Sequence, residues 1–200
     1  MRLVVKDTDI KTIEDDNWLN DVVLTYYIRT QLTTYGRTYV IDANIFGHIY
    51  TEFKLANRNM EVAHAKCCGV MATFPYKDYD RVDVPICMGS HWTFAIVQNS
   101  MLTTENLLQC GFSGTETVKK IVGGYFDAEL KTKYPQTNVS GFKSRAIRTN
   151  LMLTNTDDCG VGNPLLFSNI RDICTAPRSA RFSANMFRKE ILDKLKENDS

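Results

Sequence analysis

The spacing of apolar residues predicts amphipathic helices near both ends of the chain and one in its middle. In residues about 20–32, one helical face carries Val22, Val23, Tyr26, Tyr27 and Thr30. Asn17 or Asn20 is a candidate cap for this helix, because an Asn side chain accepts a hydrogen bond from the first backbone N–H groups. A second helix follows the capping-box pattern Ser113-Gly-Thr-Glu116, and a last helix carries Phe187, Ile191 and Leu195.

Short runs rich in β-branched and aromatic residues predict the strands of a sheet between these helices. The runs are 39–42, 69–74, 82–87, 92–97 and 106–110. Asn163 followed by Pro164 has the form of a helix start and predicts a helix that reaches about Ile173. Strands in the middle of the chain with helices around them predict an α+β domain.

Composition narrows the class of protein. The chain has 200 residues, of which 44% are hydrophobic and 24% charged, so residues 1–200 are expected to form a single domain. A formal net charge of +1 argues against nucleic acid or an anionic membrane as the main partner. No apolar run approaches the ~18 residues of a membrane span, and no secretory signal is visible, so we expect a nuclear or cytoplasmic protein acting as a monomer.

The six cysteines do not form the spacing of a zinc site or a disulfide framework. Cys67 and Cys68 are adjacent, and no Cys-x-x-Cys pair is present, so we expect neither a metal nor a cofactor. One cysteine differs from the others, because Cys159 lies in a polar turn that runs into a predicted helix. A thiol near a helix start has a lowered pKa. Of the three histidines, His91 opens a predicted strand, which is a rigid position for a catalytic base.

Three short motifs together are more specific than this Cys–His pair alone. They are Trp18-Leu-Asn-Asp21, Ser90-His91-Trp92 and Asp158-Cys159-Gly160-Val161. In this order and spacing they resemble the SUMO-specific cysteine proteases of the Ulp/SENP type, and the likeness spans roughly residues 5–195. The resemblance implies a papain-like, adenain-type α+β fold with a central mixed sheet flanked by helices.

The resemblance also implies roles for five residues. Cys159 would be the nucleophile and His91 the base in cleavage after the C-terminal Gly-Gly of SUMO or a related ubiquitin-like modifier, the reaction called deSUMOylation. Trp18 and Trp92 would form a narrow apolar tunnel that admits only Gly-Gly. Asp21 would bind a basic group on the modifier.

The chain departs from this family at the residue that orients the base. The family has an Asp at the end of the strand after the His strand, whereas no Asp lies here between Asp83 and Asp127. Cys110, or Leu108, occupies the expected place. Glu105 and Asn106 are expected at the wrong end of that strand, although an Asn orients the base in papain-like enzymes.

Two further departures concern the nucleophile. Leu153 stands where the family has a Gln that binds the developing oxyanion, and the loss of one such donor typically costs a factor of ~100–1,000 in rate. Pro164 would disturb a helix beginning at Cys159. The second hypothesis is therefore a catalytically weak or inactive homologue that binds a modifier. A third, acyl transfer on a related His–acid–Cys fold, is disfavoured by the tryptophan motifs.

Overall fold

The computed structural model of this chain describes residues 4–14, 17–32, 37–71, 74–89, 91–98, 101–106, 115–136, 142–148 and 184–198. Its helices are α1 (Asp7–Ile10), α2 (Asp21–Leu32), α3 (Ala43–Leu55), α4 (Met60–Cys67), α5 (Thr115–Lys133) and α6 (Ala184–Asn198). Its strands are β1 (Thr38–Val40), β2 (Arg81–Met88), β3 (His91–Gln98), β4 (Met101–Asn106) and β5 (Lys143–Arg148). Two 3₁₀ turns lie at Lys11–Ile13 and Tyr76–Asp78.

The five strands form one mixed sheet in the order β1-β2-β3-β4-β5. β1 is parallel to β2, and β4 is parallel to β5, whereas the central pairs β2–β3 and β3–β4 are antiparallel. Helices pack on both sides of this sheet. The predicted α+β class with a central mixed sheet is therefore confirmed.

Successive residues of β3 alternate between two apolar clusters, one on each face of the sheet. On the first face, Trp92 and Phe94 pack against α2 and α6. On the second face, Ala95 and Val97 pack against α3, α4 and α5. His91 has the same parity as Ala95, so it belongs to the second face, and its neighbour Trp92 to the first.

Helix α2 begins where the sequence predicted it, because Asn20 caps it. The Asn20 Oδ1 atom accepts a hydrogen bond of 2.9 Å from the Val23 backbone N–H. The Asn20 amide group donates a bond of 2.7 Å to the Asp9 carboxylate. This second bond ties the start of α2 to helix α1.

The structure corrects three predictions of secondary structure. Helices α3 and α4 were not predicted, and the described residues of the run 69–74 are not in a strand, because residues 69–71 form a turn after α4. Near the strand predicted over 106–110, the structure describes β4 over Met101–Asn106, which begins five residues earlier. Residues 107–110 and the predicted helix after Asn163 lie outside the described residues.

Candidate active site

His91 is the first residue of β3, where a tight connection from β2 delivers it to one end of the sheet. Met88 is its partner across the hairpin, and Gly89 turns the chain with a φ of 64°, a left-handed conformation that favours glycine. The imidazole is half-buried. Its Nδ1 atom is buried and has no hydrogen-bond partner among the described residues. The base predicted from the sequence therefore has a ring nitrogen open to a further group.

Trp92 joins this strand to the segment that precedes α2. Its side chain is only 6% exposed, and its indole Nε1–H donates a buried hydrogen bond of 3.0 Å to the Leu19 carbonyl. Because Leu19 directly follows Trp18, this bond holds the first tryptophan motif against the strand that carries the second. The two motifs are 73 residues apart in the chain.

Trp18 and Asp21 lie at the surface on either side of that anchored residue. Trp18 is 41% exposed, and Asp21 is an exposed residue that opens α2. Burial raises the pKa of the Cys87 thiol, and the Asp21 carboxylate raises it further. Since Cys87 is the cross-strand partner of Trp92, Asp21 lies at the same end of the sheet. The structure thus brings together four of the five predicted site residues.

A buried arginine, not singled out from the sequence, secures the segment before Trp18. The Arg188 guanidinium on α6 donates hydrogen bonds of 3.1 Å to the Ile13 carbonyl and 2.9 Å to the Glu14 carbonyl. A third bond of 2.8 Å goes to the Asn17 carbonyl. Arginine suits this task because its planar fork carries five donors. No local sequence pattern marks Arg188, because its partners lie 171 to 175 residues away along the chain.

The position of β4 corrects the expectation for Glu105 and Asn106. Phe94 pairs with Glu105, and the antiparallel register runs from there to Gln98 opposite Met101. The carboxyl end of β4 therefore adjoins the amino end of β3, which is the end occupied by His91. Both residues lie at the right end of the strand, because β4 is placed earlier in the chain than predicted.

The remaining candidates lie outside the residues that the structure describes. These are the nucleophile Cys159, the oxyanion position Leu153, the two candidate orienting positions Leu108 and Cys110, and Pro164. Their predicted roles stay predictions.

A second histidine is paired with a carboxylate far along the sequence. His64 on α4 lies 2.6 Å from Glu129 on α5, measured from Nε2 to Oε2, and both side chains are buried. Lys133 lies 3.0 Å from the other oxygen of Glu129. Within the described ranges, no group of three or more His, Cys, Asp or Glu residues could hold a metal ion. No helix there is both long and apolar enough to cross a membrane.

Known proteins share this architecture. The SUMO protease Ulp1, with its catalytic cysteine oxidised to a sulfonic acid, superposes with a TM-score of 0.70 at 16% identity, covering 100% of this chain and 87% of that chain. The Ulp1 protease domain in complex with Smt3, the yeast ortholog of SUMO, gives 0.66 at 16% identity, with 96% and 85% covered. The Ulp1-like SUMO protease catalytic domain of Chaetomium thermophilum gives 0.62 at 16%, with 90% and 72% covered.

A sequence relative agrees with the structural neighbours. A sentrin-specific protease of Caenorhabditis elegans is 23% identical over 195 residues, which are 92% of this chain and 26% of that protein. The chain therefore spans about a quarter of the length of this relative. No family model matches the chain. The fold is that of the Ulp1-like, papain-like proteases, and the resemblance to the Ulp/SENP type is confirmed in both sequence and fold.

Proposed function

We propose that this chain is a cysteine peptidase that cleaves after the C-terminal Gly-Gly of SUMO or a related ubiquitin-like modifier. The observation that carries the proposal is the hydrogen bond from Trp92 to the Leu19 carbonyl. It places Trp18 and Asp21 beside the strand that begins with His91, in a fold shared with SUMO proteases. The proposed recognition residues and the candidate base thus lie at the same end of the sheet.

The chemistry assigns the bond-making step to Cys159. His91 takes the thiol proton, and the thiolate attacks the carbonyl carbon of the last glycine to give a tetrahedral oxyanion. The C–N bond then breaks, the leaving lysine amine takes the proton from His91, and a thioester remains. A water molecule gives its proton to His91 and its oxygen to the thioester carbon, which releases the modifier and restores the thiol.

The two tryptophans supply selectivity for glycine. Two flat indole rings leave a passage too narrow for a residue that carries a Cβ atom, and they keep water away from the reacting carbonyl. Trp92 is fixed by its bond to Leu19, whereas Trp18 presents exposed surface to an incoming chain. Asp21, also exposed, is the proposed contact for a basic group on the modifier.

A second candidate function is binding of the modifier without efficient cleavage. Leu153 in place of the oxyanion Gln favours it, as does a His91 without a carboxylate partner in the described part of the chain. The recognition residues would then serve a binding module. A binding assay does not separate the two functions, because both predict a complex.

Turnover of a SUMO precursor distinguishes the two candidate functions. We expect the protein to release the C-terminal extension of a SUMO precursor, and Cys159→Ser to abolish release while binding persists. The matched control Cys68→Ser changes an exposed cysteine on the α4 side and should leave turnover unchanged. A precursor with Ala for its penultimate glycine should bind but resist cleavage. Binding without any release by the unmodified protein would favour the binding module instead.

We also propose the setting in which this activity operates. Residues 1–200 act as one protease domain and as a monomer, in the nucleus or cytoplasm where modified proteins occur. Its partners are the modifier and its conjugates, with neither nucleic acid nor membrane required, and no metal or cofactor enters the reaction as written.

A further inference from the structure

We infer that a polar cleft between helices α4 and α5 is a binding site for a guanidinium group, such as the end of an arginine side chain. The cleft encloses a cavity of about 470 Å³, which lies within the ~300–1,000 Å³ typical of ligand sites. Its described lining includes neither the candidate base nor the two tryptophan motifs. The inference therefore concerns a second site and does not depend on the proposed peptidase function.

The charged groups of the cleft leave it with a negative balance. Glu61 on α4 lines one wall, and Asp127 and Lys131 on α5 line the other. The Lys131 Nζ atom lies 2.6 Å from the Asp127 Oδ2 atom, so these two charges balance each other. Glu61 is exposed and has no ion-pair partner in the described part of the chain. Two carboxylates against one ammonium thus leave a negative charge that a bound cation would neutralise.

The remaining hydrogen-bonding groups of the cleft are acceptors. The Asp127 Oδ1 atom is buried and has no hydrogen-bond partner among the described residues. Rotation about the last side-chain bond of an aspartate is soft, so this oxygen can turn toward a ligand. The Thr132 hydroxyl donates a bond of 2.8 Å to the Ala128 carbonyl, which leaves its oxygen able to accept. A guanidinium matches such a set, because its planar fork carries five donors and no acceptor.

The other lining residues suit the methylene groups that carry an arginine's charge. Met60, Gly124 and Ala128 contribute an apolar part of the wall. A Cβ atom at position 124 would lie 3.2 Å from the Met60 Cγ atom, so the glycine leaves room for Met60 beside α5. His64 also lines the cleft, and its 2.6 Å bond to Glu129 fixes the imidazole ring. Arginine side chains bury their stems on such surfaces and keep the charged end among polar groups.

The test uses acetyl-arginine methylamide, which carries one guanidinium and no other charge. Acetyl-citrulline methylamide, an uncharged analogue of nearly the same shape, is the control ligand. Amide chemical shifts of the protein, followed by NMR at increasing ligand concentration, give both the location of binding and the dissociation constant. We expect saturable shifts in α4 and α5 with the arginine compound and none with the citrulline compound.

Variants of the two carboxylates locate the charge that binds. Glu61→Gln should weaken binding by up to about fivefold, which is the effect of one exposed ion pair. The double variant Glu61→Gln, Asp127→Asn should show no saturable binding. Glu116→Gln changes an exposed carboxylate elsewhere on α5 and should bind as the unmodified protein does. Because Glu61 is exposed, its variant should fold even if the double variant does not.

Three results would overturn the inference. The first is the absence of saturable shifts with the arginine compound, and the second is equal binding of the citrulline compound. The third is an affinity unchanged in Glu61→Gln and in a folded double variant, because the cation would then bind elsewhere.

A second ligand distinguishes the two sources of a guanidinium group. An end-blocked peptide with one arginine between two pairs of alanines is compared with the single-residue compound. Affinity at least tenfold higher for the peptide would identify an arginine presented by a partner protein. Equal affinity would identify a small guanidinium compound as the ligand of the same site.

Discussion

Two histidines in this molecule occupy opposite kinds of environment. His64 is buried between α4 and α5 and lies 2.6 Å from a buried carboxylate of Glu129. His91 is half-buried at the start of β3 and has no carboxylate partner among the described residues. Judged by its carboxylate alone, His64 looks more like a catalytic base than His91 does.

The surroundings reverse that judgement. Cys67, one helical turn after His64, is fully buried, and burial raises the pKa of its thiol, so it stays protonated and inert. His91, by contrast, lies at the same end of the sheet as Trp18 and Asp21, which are both exposed. A catalytic histidine must be accessible to a substrate. A close carboxylate partner does not identify one, because such a pair can also stabilise the fold.

The largest effect should come from His91. We expect His91→Ala to slow adduct formation between Cys159 and a SUMO-type modifier with a C-terminal electrophile by about 10²–10⁴-fold, which is the usual contribution of a general base. The free energy of unfolding should change little, because the side chain is half-buried and no carboxylate among the described residues holds it. His48→Ala is the matched control, since that side chain is exposed on α3. An unchanged rate of adduct formation in His91→Ala would show that His91 is not the base.

The opposite result is expected at His64. Removal of the His64 side chain leaves the buried Glu129 with Lys133 as its remaining cationic partner, and breaking a buried pair typically costs about 3–5 kcal/mol. We expect the free energy of unfolding to fall by an amount near the lower limit of this range, because Lys133 still balances the charge of Glu129. Urea unfolding measures it, and the rate of adduct formation per folded molecule should not change. A lower rate of adduct formation in a fully folded His64 variant would show that His64 takes part in function, and the contrast between the two histidines would then be wrong.

A smaller effect is expected at Arg188, which links stability to the site. Arg188→Met removes the hydrogen bonds of the guanidinium to the carbonyl groups of residues 12–17, and hydrogen bonds to charged groups are worth about 1.5–3 kcal/mol each without being additive. We expect a loss of about 2–3 kcal/mol in unfolding free energy, together with weaker modifier binding as Trp18 loses its support. The exposed neighbour Lys189, changed to Met, is the control. Unchanged modifier binding by Arg188→Met would show that Arg188 does not support the proposed tunnel of Trp18 and Trp92.

The smallest effect concerns a buried acid on the Trp92 face of the sheet. Burial raises the pKa of Asp83 to about 6, and Arg81 at 2.6 Å only partly offsets it. Between pH 4 and 6 the folded protein holds a proton that the unfolded chain has released. Stability should therefore fall as pH rises through this window, by up to about 1.4 kcal/mol per pH unit.

Asp83→Asn should remove that slope and leave the rate of adduct formation unchanged. The exposed Asp80, changed to Asn, is the control, and it should keep the slope. Denaturant unfolding of all three proteins at pH 4, 5, 6 and 7 provides the measurement. A slope that persists in Asp83→Asn would assign the effect to another group.

Much of the fold could be predicted from the sequence, where local pattern decides the element. Helix α2 was predicted with Asn20 as one of two candidate caps, and Asn20 caps it. Its buried face was predicted only in part, because Val23 and Tyr27 are buried as expected while Leu24 and Ile28 were missed. Helix α3 carried its own signal, with Phe46, Ile49 and Phe53 buried at helical spacing, although it was not predicted. Strand β4 was placed too late because the apolar pair Leu107 and Leu108 resembles a strand more than the polar residues before it.

Only those residues of the candidate site that belong to short sequence motifs could be predicted. Trp18, Asp21, His91 and Trp92 were proposed from their motifs, and they lie at one end of the sheet. The bond between Trp92 and the Leu19 carbonyl, by contrast, spans 73 residues, and that from Arg188 to the Ile13 carbonyl spans 175. Local pattern holds no information on such pairings, because the tertiary fold creates them.

The most direct test of the central claim is the mass of the intact protein after incubation with a SUMO-type modifier that ends in a C-terminal electrophile. We expect a single adduct, located at Cys159 by peptide mapping, that disappears in Cys159→Ser and forms much more slowly in His91→Ala. A protein that binds the probe but gains no mass at high probe concentration would contradict the protease function and leave a binding module.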